Sequence, residues 1–299
     1  MTLVDTHCHL DTAPLGDDPA VVLMRAADCG VCRVVVPAYD LPSWSAVLDL
    51  AARFGPGADA RPCTDPAGDH HSGAAHPGDD HPLADHPGAA VYPALGLHPW
   101  AAAGSPGGQD HRDLYRELVA AIDHAPAPVV AIGEIGLDTK IDDPPLHVQV
   151  GVLRAQLALA VELDLPAILH CRGAFDELLA EIARFDGRLR GVLHAWSRGA
   201  DAARRFVKAG LYLGLGGAVT RPRARRVRRT AQTLPLERFV LETDAPSIGL
   251  EGVHPSDTEP QHVADVARAL SALRQEPVAT IAEVTTQNAC RLFGLAPRA

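Results

Sequence analysis

Short apolar, β-branched runs recur along the chain at residues 3–7, 33–38, 91–97, 129–134, 167–172, 191–196, 211–216 and 239–244. Their length and composition are those of buried strands. Between most of them the apolar positions change to helical spacing. Across 146–163, for example, Val150, Leu153, Leu157 and Val161 recur on one side of a helix. Eight strands alternating with crossover helices predict an α/β fold. It is either a closed (β/α)8 TIM barrel, for which roughly 250 residues is an ordinary size, or a doubly wound open sheet.

The residues that end the runs favour the barrel, because a barrel gathers all its strand C-termini around one mouth. The runs end in His7-Cys8-His9, His98, Glu134, His170-Cys171-Arg172, His194 and Glu242-Thr243-Asp244. One such polar residue is an ordinary strand end. Six groups on one predicted rim point to chemistry. The reading is therefore a single barrel domain over 1–299, interrupted by an insertion at about 56–90 before the third strand. The insertion is rich in Pro, Gly, Asp and His and lacks periodicity, and it reads as a surface loop. Its His70, His71, His76, His81 and His86 are expected to be solvated rather than metal-bound.

Composition narrows the function classes. The formal charge is -10, with only 4% aromatic residues, so the core must be aliphatic and bulk electrostatic coating of nucleic acid is excluded. A local basic site is not. Residues 221–229 hold six arginines, of which Arg221 and Arg223 are placed to reach the mouth. The N-terminal residues show no secretory pattern, no apolar run has the length of a membrane span, and the six cysteines lack a disulfide framework, so the expected location is cytoplasmic. The pair Cys29 and Cys32 has the C-x-x-C spacing but no redox context and is read as structural.

His7 and His9, two apart on an extended strand, can present both rings to one metal ion. Glu134 can bridge two cations through its two oxygens, and His170 and His194 suit the second. Asp244 can ligate the first ion and accept a proton from the attacking water. Such an imidazole–carboxylate shell accepts Zn, Mn or Mg, and the sequence does not choose among them.

At this level of detail the chain resembles the TatD-family metal-dependent hydrolases, amidohydrolase-like barrels, and their YjjV-like branch. The resemblance is carried by residues 4–11 (Val-Asp-Thr-His-Cys-His-Leu-Asp), 94–99 (Ala-Leu-Gly-Leu-His-Pro), 133–138 (Gly-Glu-Ile-Gly-Leu-Asp) and 165–172 (Leu-Pro-Ala-Ile-Leu-His-Cys-Arg). It continues at 191–197 (Gly-Val-Leu-His-Ala-Trp-Ser), 214–217 (Gly-Leu-Gly-Gly), 241–246 (Leu-Glu-Thr-Asp-Ala-Pro) and 288–294 (Asn-Ala-Cys-Arg-Leu-Phe-Gly). The resemblance implies a TIM barrel with two divalent ions held by His7, His9, Glu134, His170, His194 and Asp244. It also implies deoxyribonuclease activity, exonucleolytic on single-stranded DNA. Thr139, Arg198 and residues 256–260 depart from the family pattern, at positions that bear on substrate rather than on metal.

The expected activity is phosphodiester hydrolysis of DNA by hydroxide held between two ions, with Glu134 bridging and Asp244 handling the proton. His98, Arg172, Arg221 and Arg223 are candidate phosphate contacts, and Trp196, with Trp100, a candidate for stacking on bases. The competing readings are an amidohydrolase or esterase acting on a small metabolite, and a non-catalytic scaffold within a multi-protein assembly.

Overall fold

The computed structural model describes residues 1–56, 88–105 and 111–295. Eight parallel strands pair in chain order: β1 (Leu3–Asp5), β2 (Val31–Pro37), β3 (Ala90–Leu95), β4 (Ala131–Asp138), β5 (Ala167–Arg172), β6 (Gly191–Leu193), β7 (Tyr212–Leu215) and β8 (Phe239–Leu241). The first and last strands then meet. Thr6 N–H donates to Leu241 O (3.0 Å), Asp244 N–H to His7 O (2.8 Å) and His9 N–H to Ala245 O (2.8 Å). Cys8 and Ala245 form a parallel bridge just beyond the strand ends. This seam rules out the open-sheet alternative.

Crossovers are made by α1 (Pro19–Asp28), α2 (Leu41–Phe54), α3 (Arg112–Asp123), α4 (Leu146–Glu162), α5 (Phe175–Ala183), α6 (Ala200–Lys208) and α7 (Arg225–Thr233). After β8 come α8 (Val263–Arg274) and α9 (Val278–Phe293). Alternation along each strand divides the core into two layers. Val4, Val35, Ala94, Ile168, Val192 and Val240 fill the barrel interior, where Ala289, Leu292 and Phe293 of α9 pack against them. The outer layer joins strands to helices, and Cys8 faces it, away from the mouth, as alternation predicts, whereas Cys171, expected to do the same, packs against that layer but also lines the mouth cavity. Because α9 also binds the start of β8, with Asn288 Nδ2 donating to Leu236 O and Phe239 O, it closes the N-terminal end of the barrel. The opposite end is left for chemistry.

Two buried glutamines of α4 fasten strand ends at that opposite side. Gln156 Oε1 accepts from Leu97 N–H (2.7 Å) and its Nε2 donates to Leu97 O (3.0 Å), just before His98. Gln149 makes the same pair of bonds with Asp138, the last residue of β4. Each side-chain amide takes the place of a neighbouring strand's backbone where none continues.

The barrel resumes earlier than the predicted end of the insertion: Ala89 is buried, its N–H donates to Leu23 O, and β3 starts at Ala90. The five insertion histidines lie outside the described residues. Cys29 is a free thiol and so is not joined to Cys32. Among the described residues no helix is long and apolar enough to cross a membrane.

Candidate metal centre and active site

Period-two alternation carries polar side chains from the barrel interior to its mouth. His170 follows Ile168 on the inner side of β5, His194 follows Val192 beyond β6, and Glu242 and Asp244 follow Val240 beyond β8. β4 runs to Asp138, so Glu134 is not a strand end. A register irregularity between Ile132 and Ile135 nevertheless sets its carboxylate in the mouth.

All six expected ligands converge. Glu134 Oε1 lies 2.7 Å from His194 Nε2 and 3.0 Å from His170 Nδ1, and Oε2 lies 3.4 Å from His7 Nε2 and 3.5 Å from His9 Nε2. One carboxylate thus divides its oxygens between the two histidine pairs. Asp244 Oδ1 stands 3.5 Å from His9 Nε2 and 3.7 Å from His7 Nε2. Its backbone is in the left-handed region, φ 54°, a conformation costing about 1 kcal/mol and secured by the N–H bond to His7 O.

The donor set fits cations. His7 Nε2 faces His9 Nε2 at 3.2 Å, and His170 Nδ1 faces His194 Nε2 at 3.3 Å, so lone pairs of neighbouring rings converge on shared points. Burial pushes the Glu134 carboxyl up, but the surrounding His194, His98 and His7 outweigh it and hold the group well below the usual carboxylate range. Burial likewise lowers His194, and the carboxylate at Glu134 reverses this, lifting the imidazole to about 10. The pocket calls for positive charge, which divalent ions would supply in place of protons. The donor groups are His7, His9 and Glu134; His7, His194 and Asp244; and His98, Glu134 and His170.

His98 differs from the other imidazoles in one respect. Its Nδ1 accepts the backbone N–H of Trp100 (3.2 Å), so the neutral ring carries its proton on Nε2, 3.5 Å from Glu134 Oε1. Burial lowers its pKa and keeps that neutral form. In this tautomer Nε2 is a hydrogen-bond donor; only the other tautomer, at the cost of the Trp100 bond, would let that nitrogen serve the third donor group.

Two acidic residues not singled out as site residues from the sequence stand behind the ligands. Asp138 Oδ2 lies 3.4 Å from His170 Nε2 and accepts from Trp100 Nε1 (2.9 Å). Glu242 Oε1 lies 4.0 Å from His194 Nδ1 and accepts the Ala195 N–H. Both stand on the far-nitrogen side of a metal-facing ring, close enough for charge to act on it but without a hydrogen bond to that nitrogen. Gly214 makes room for Glu242, since a Cβ there would stand 2.1 Å from Glu242 Oε2. Asp5 secures the seam below: its Oδ1 accepts from His7 N–H and Thr243 N–H, its Oδ2 from Thr243 Oγ1. Strand-end position was the available signal for Glu242, whereas the predicted fourth strand stopped at Glu134 and gave none for Asp138. Nothing in the sequence indicates which ring each would meet.

A cavity of about 840 Å3 opens over the cluster, with Trp100, Arg172 and Arg221 on its walls. Arg172 is half-exposed, its Nη1 3.5 Å from Asp138 Oδ2, and Arg221 donates to Gly249 O. Arg223 lines an adjoining smaller cavity instead of the mouth. Trp196 is a correction. It is 2% exposed and packs edge-on with Phe175 and Phe206, so no ring face is free for a base. Trp100, 56% exposed and edge-on to His98, is the indole available at the mouth.

The family model described as TatD related DNase matches residues 80–294. The chain is 36% identical over 293 residues to the metal-dependent hydrolase YjjV of Escherichia coli (strain K12), covering 98% of each chain. The crystal structure of YjjV, a TatD homolog, superposes with a TM-score of 0.78 at 35% identity, covering 98% of both chains. A second relative, the 3'-5' ssDNA/RNA exonuclease TatD of Edwardsiella piscicida, is 34% identical over 207 residues, 66% of this chain and 78% of that one. With a ligand cluster of this composition at the mouth of such a barrel, the chain belongs to the TatD family of metal-dependent hydrolases.

Proposed function

We propose that this chain hydrolyses phosphodiester bonds of DNA, with single strands as the preferred substrate, at the mouth of the barrel. The observation that carries the reading is that the carboxylate–imidazole cluster shares its cavity with the guanidinium groups of Arg172 and Arg221 and the Nε2–H of His98. Donors for an anionic substrate thereby face the groups that would bind cations. The exonuclease named among the relatives supports the same substrate class.

His7 and His9 would hold one cation and His170 and His194 the other, with the Glu134 carboxylate lying between the two histidine pairs. Two divalent ions in such a site supply Lewis-acid charge that activates water and offsets the negative charge developing on phosphorus. Asp244 orients the attacking water and accepts its proton. His98 Nε2–H and the fork of Arg172 donate to the non-bridging oxygens, and Asp138 holds Trp100 in place. The exposed face of Trp100 receives a neighbouring base, for which single strands are suited because their bases are free to stack.

The test is incubation of the purified protein with Mg, Mn or Zn and single- or double-stranded DNA labelled at the 3′ or the 5′ end. Metal-dependent shortening of the single strand is expected. Turnover of lactones or amides with no cleavage of any DNA would overturn the proposal in favour of an amidohydrolase or esterase.

A further inference from the structure

Next to the mouth lies a second cavity of about 320 Å3, rimmed by Arg223, Arg225 and Arg226 and lined by no carboxylate. Ser197 and Ala218 line both cavities, so the two are contiguous. Many arginines among the described residues are committed: Arg25, Arg154, Arg204, Arg205 and Arg268, for example, pair with carboxylates, and Arg228 donates to Val219 O. Arg223, Arg225 and Arg226 are exposed and, among the described residues, make no hydrogen bond or ion pair through their side chains. Three unpaired guanidinium groups around one concavity repel each other, and the chain's net charge of -10 gives no general reason to gather them. An anion with several acceptor oxygens would relieve that repulsion, and phosphate fits the guanidinium fork.

We propose that this cavity is a second phosphate subsite, which grips the backbone of a single-stranded DNA substrate away from the bond under attack. The proposal rests on the phosphodiesterase reading of the mouth and deepens it by fixing where the rest of the strand runs: past Ser197 and Ala218, over the start of α7. A diester with a single phosphate fills the mouth alone. A strand fills both cavities, so affinity rises with chain length.

The test is binding to the manganese-loaded protein, followed by fluorescence anisotropy over a range of salt. The probe is a phosphorothioate oligothymidylate of about ten nucleotides, within the span a single-strand site covers. Arg223→Gln, Arg225→Gln and Arg226→Gln are compared with Arg229→Gln, which removes the same charge from α7 but lines neither cavity. Each of the three is expected to weaken binding about tenfold, well beyond Arg229→Gln. The triple variant should lower the slope of log K against log salt by about 0.7, the value for one released phosphate on a single strand. Effects no larger than that of Arg229→Gln, or wild-type binding no tighter for the strand than for a single-phosphate diester, would overturn the subsite. If the wild type fails to cut an unmodified strand but shows the arginine-dependent binding, the subsite stands and the phosphodiesterase reading falls.

Discussion

The Glu134 carboxylate does what no monodentate side chain could, because its two oxygens answer to different histidine pairs. In the proposed reaction Asp244 would have the separate task of taking a proton. Asp244→Asn preserves volume and removes that charge, so it should keep the fold and lose at least ~10²-fold in turnover, the scale of general-base effects. Circular dichroism and steady-state rates at full metal occupancy would check this, and near-normal rates would contradict the assignment. The two indoles at the mouth should separate in the same way. Trp196→Ala should lower stability by about 3–5 kcal/mol in urea unfolding, since the ring is wholly packed against Phe175 and Phe206. Trp100→Ala, at an exposed site, should leave the unfolding midpoint nearly unchanged and raise KM for single strands severalfold. Equal stability loss in the two variants would contradict this difference in packing between the two indoles.

Elements decide where those residues stand, and here α4 matters as much as the strands. Gln149 and Gln156 make no contact with the ligands, yet each binds both backbone groups of a residue at the end of β4 or just beyond β3. Gln156→Leu leaves the Leu97 N–H and C=O buried and unpaired, at a cost of about 1–3 kcal/mol each. The expected outcome is a lower urea midpoint and, in the folded fraction, faster amide exchange at Leu97 and His98 than at β5. The strands themselves were legible in the sequence, because period-two and period-3.6 patterns report burial directly. Even the three-residue strands β6 and β8 were found, since Gly191–Leu193 and Phe239–Leu241 are wholly apolar. Two of the expected ligands were legible for a related reason: His170 and His194 stand two residues past buried Ile168 and Val192 and so share their side of the sheet, whereas Glu134 is set in the mouth by a register irregularity that alternation does not report. The glutamines were not, because on a helix a buried amide looks like any polar residue facing water. Nor was the burial of Trp196, which depends on where α5 and α6 place Phe175 and Phe206 rather than on its own strand. For the same reason Arg223 was expected at the mouth beside Arg221 and is found at the neighbouring cavity.

On the scale of the whole molecule, ligands from β1, β4, β5, β6 and β8 meet at one point, so an ion bound there ties together most of the barrel's circumference. Cations that bind only the folded chain add RT ln(1 + [L]/Kd), about 2.7 kcal/mol at one hundred times Kd. For a chain of this size that should raise Tm by about 4 °C. A thermal scan with and without manganese would measure the rise, and a chelator should reverse it. Glu134→Gln should abolish most of it, and an unchanged rise in that variant would place the ions elsewhere. The seam between β1 and β8 adds a consequence in time. His7 and Asp244 are joined through the hydrogen bond from Asp244 N–H to His7 O, across almost the full run of the chain. A ribosome that has released the first seven strands has therefore made the histidine pair of β1 without the aspartate that completes it. On the proposed mechanism, hydrolytic competence would arrive only with the eighth strand, so a nascent or truncated chain would lack the group assigned to the proton.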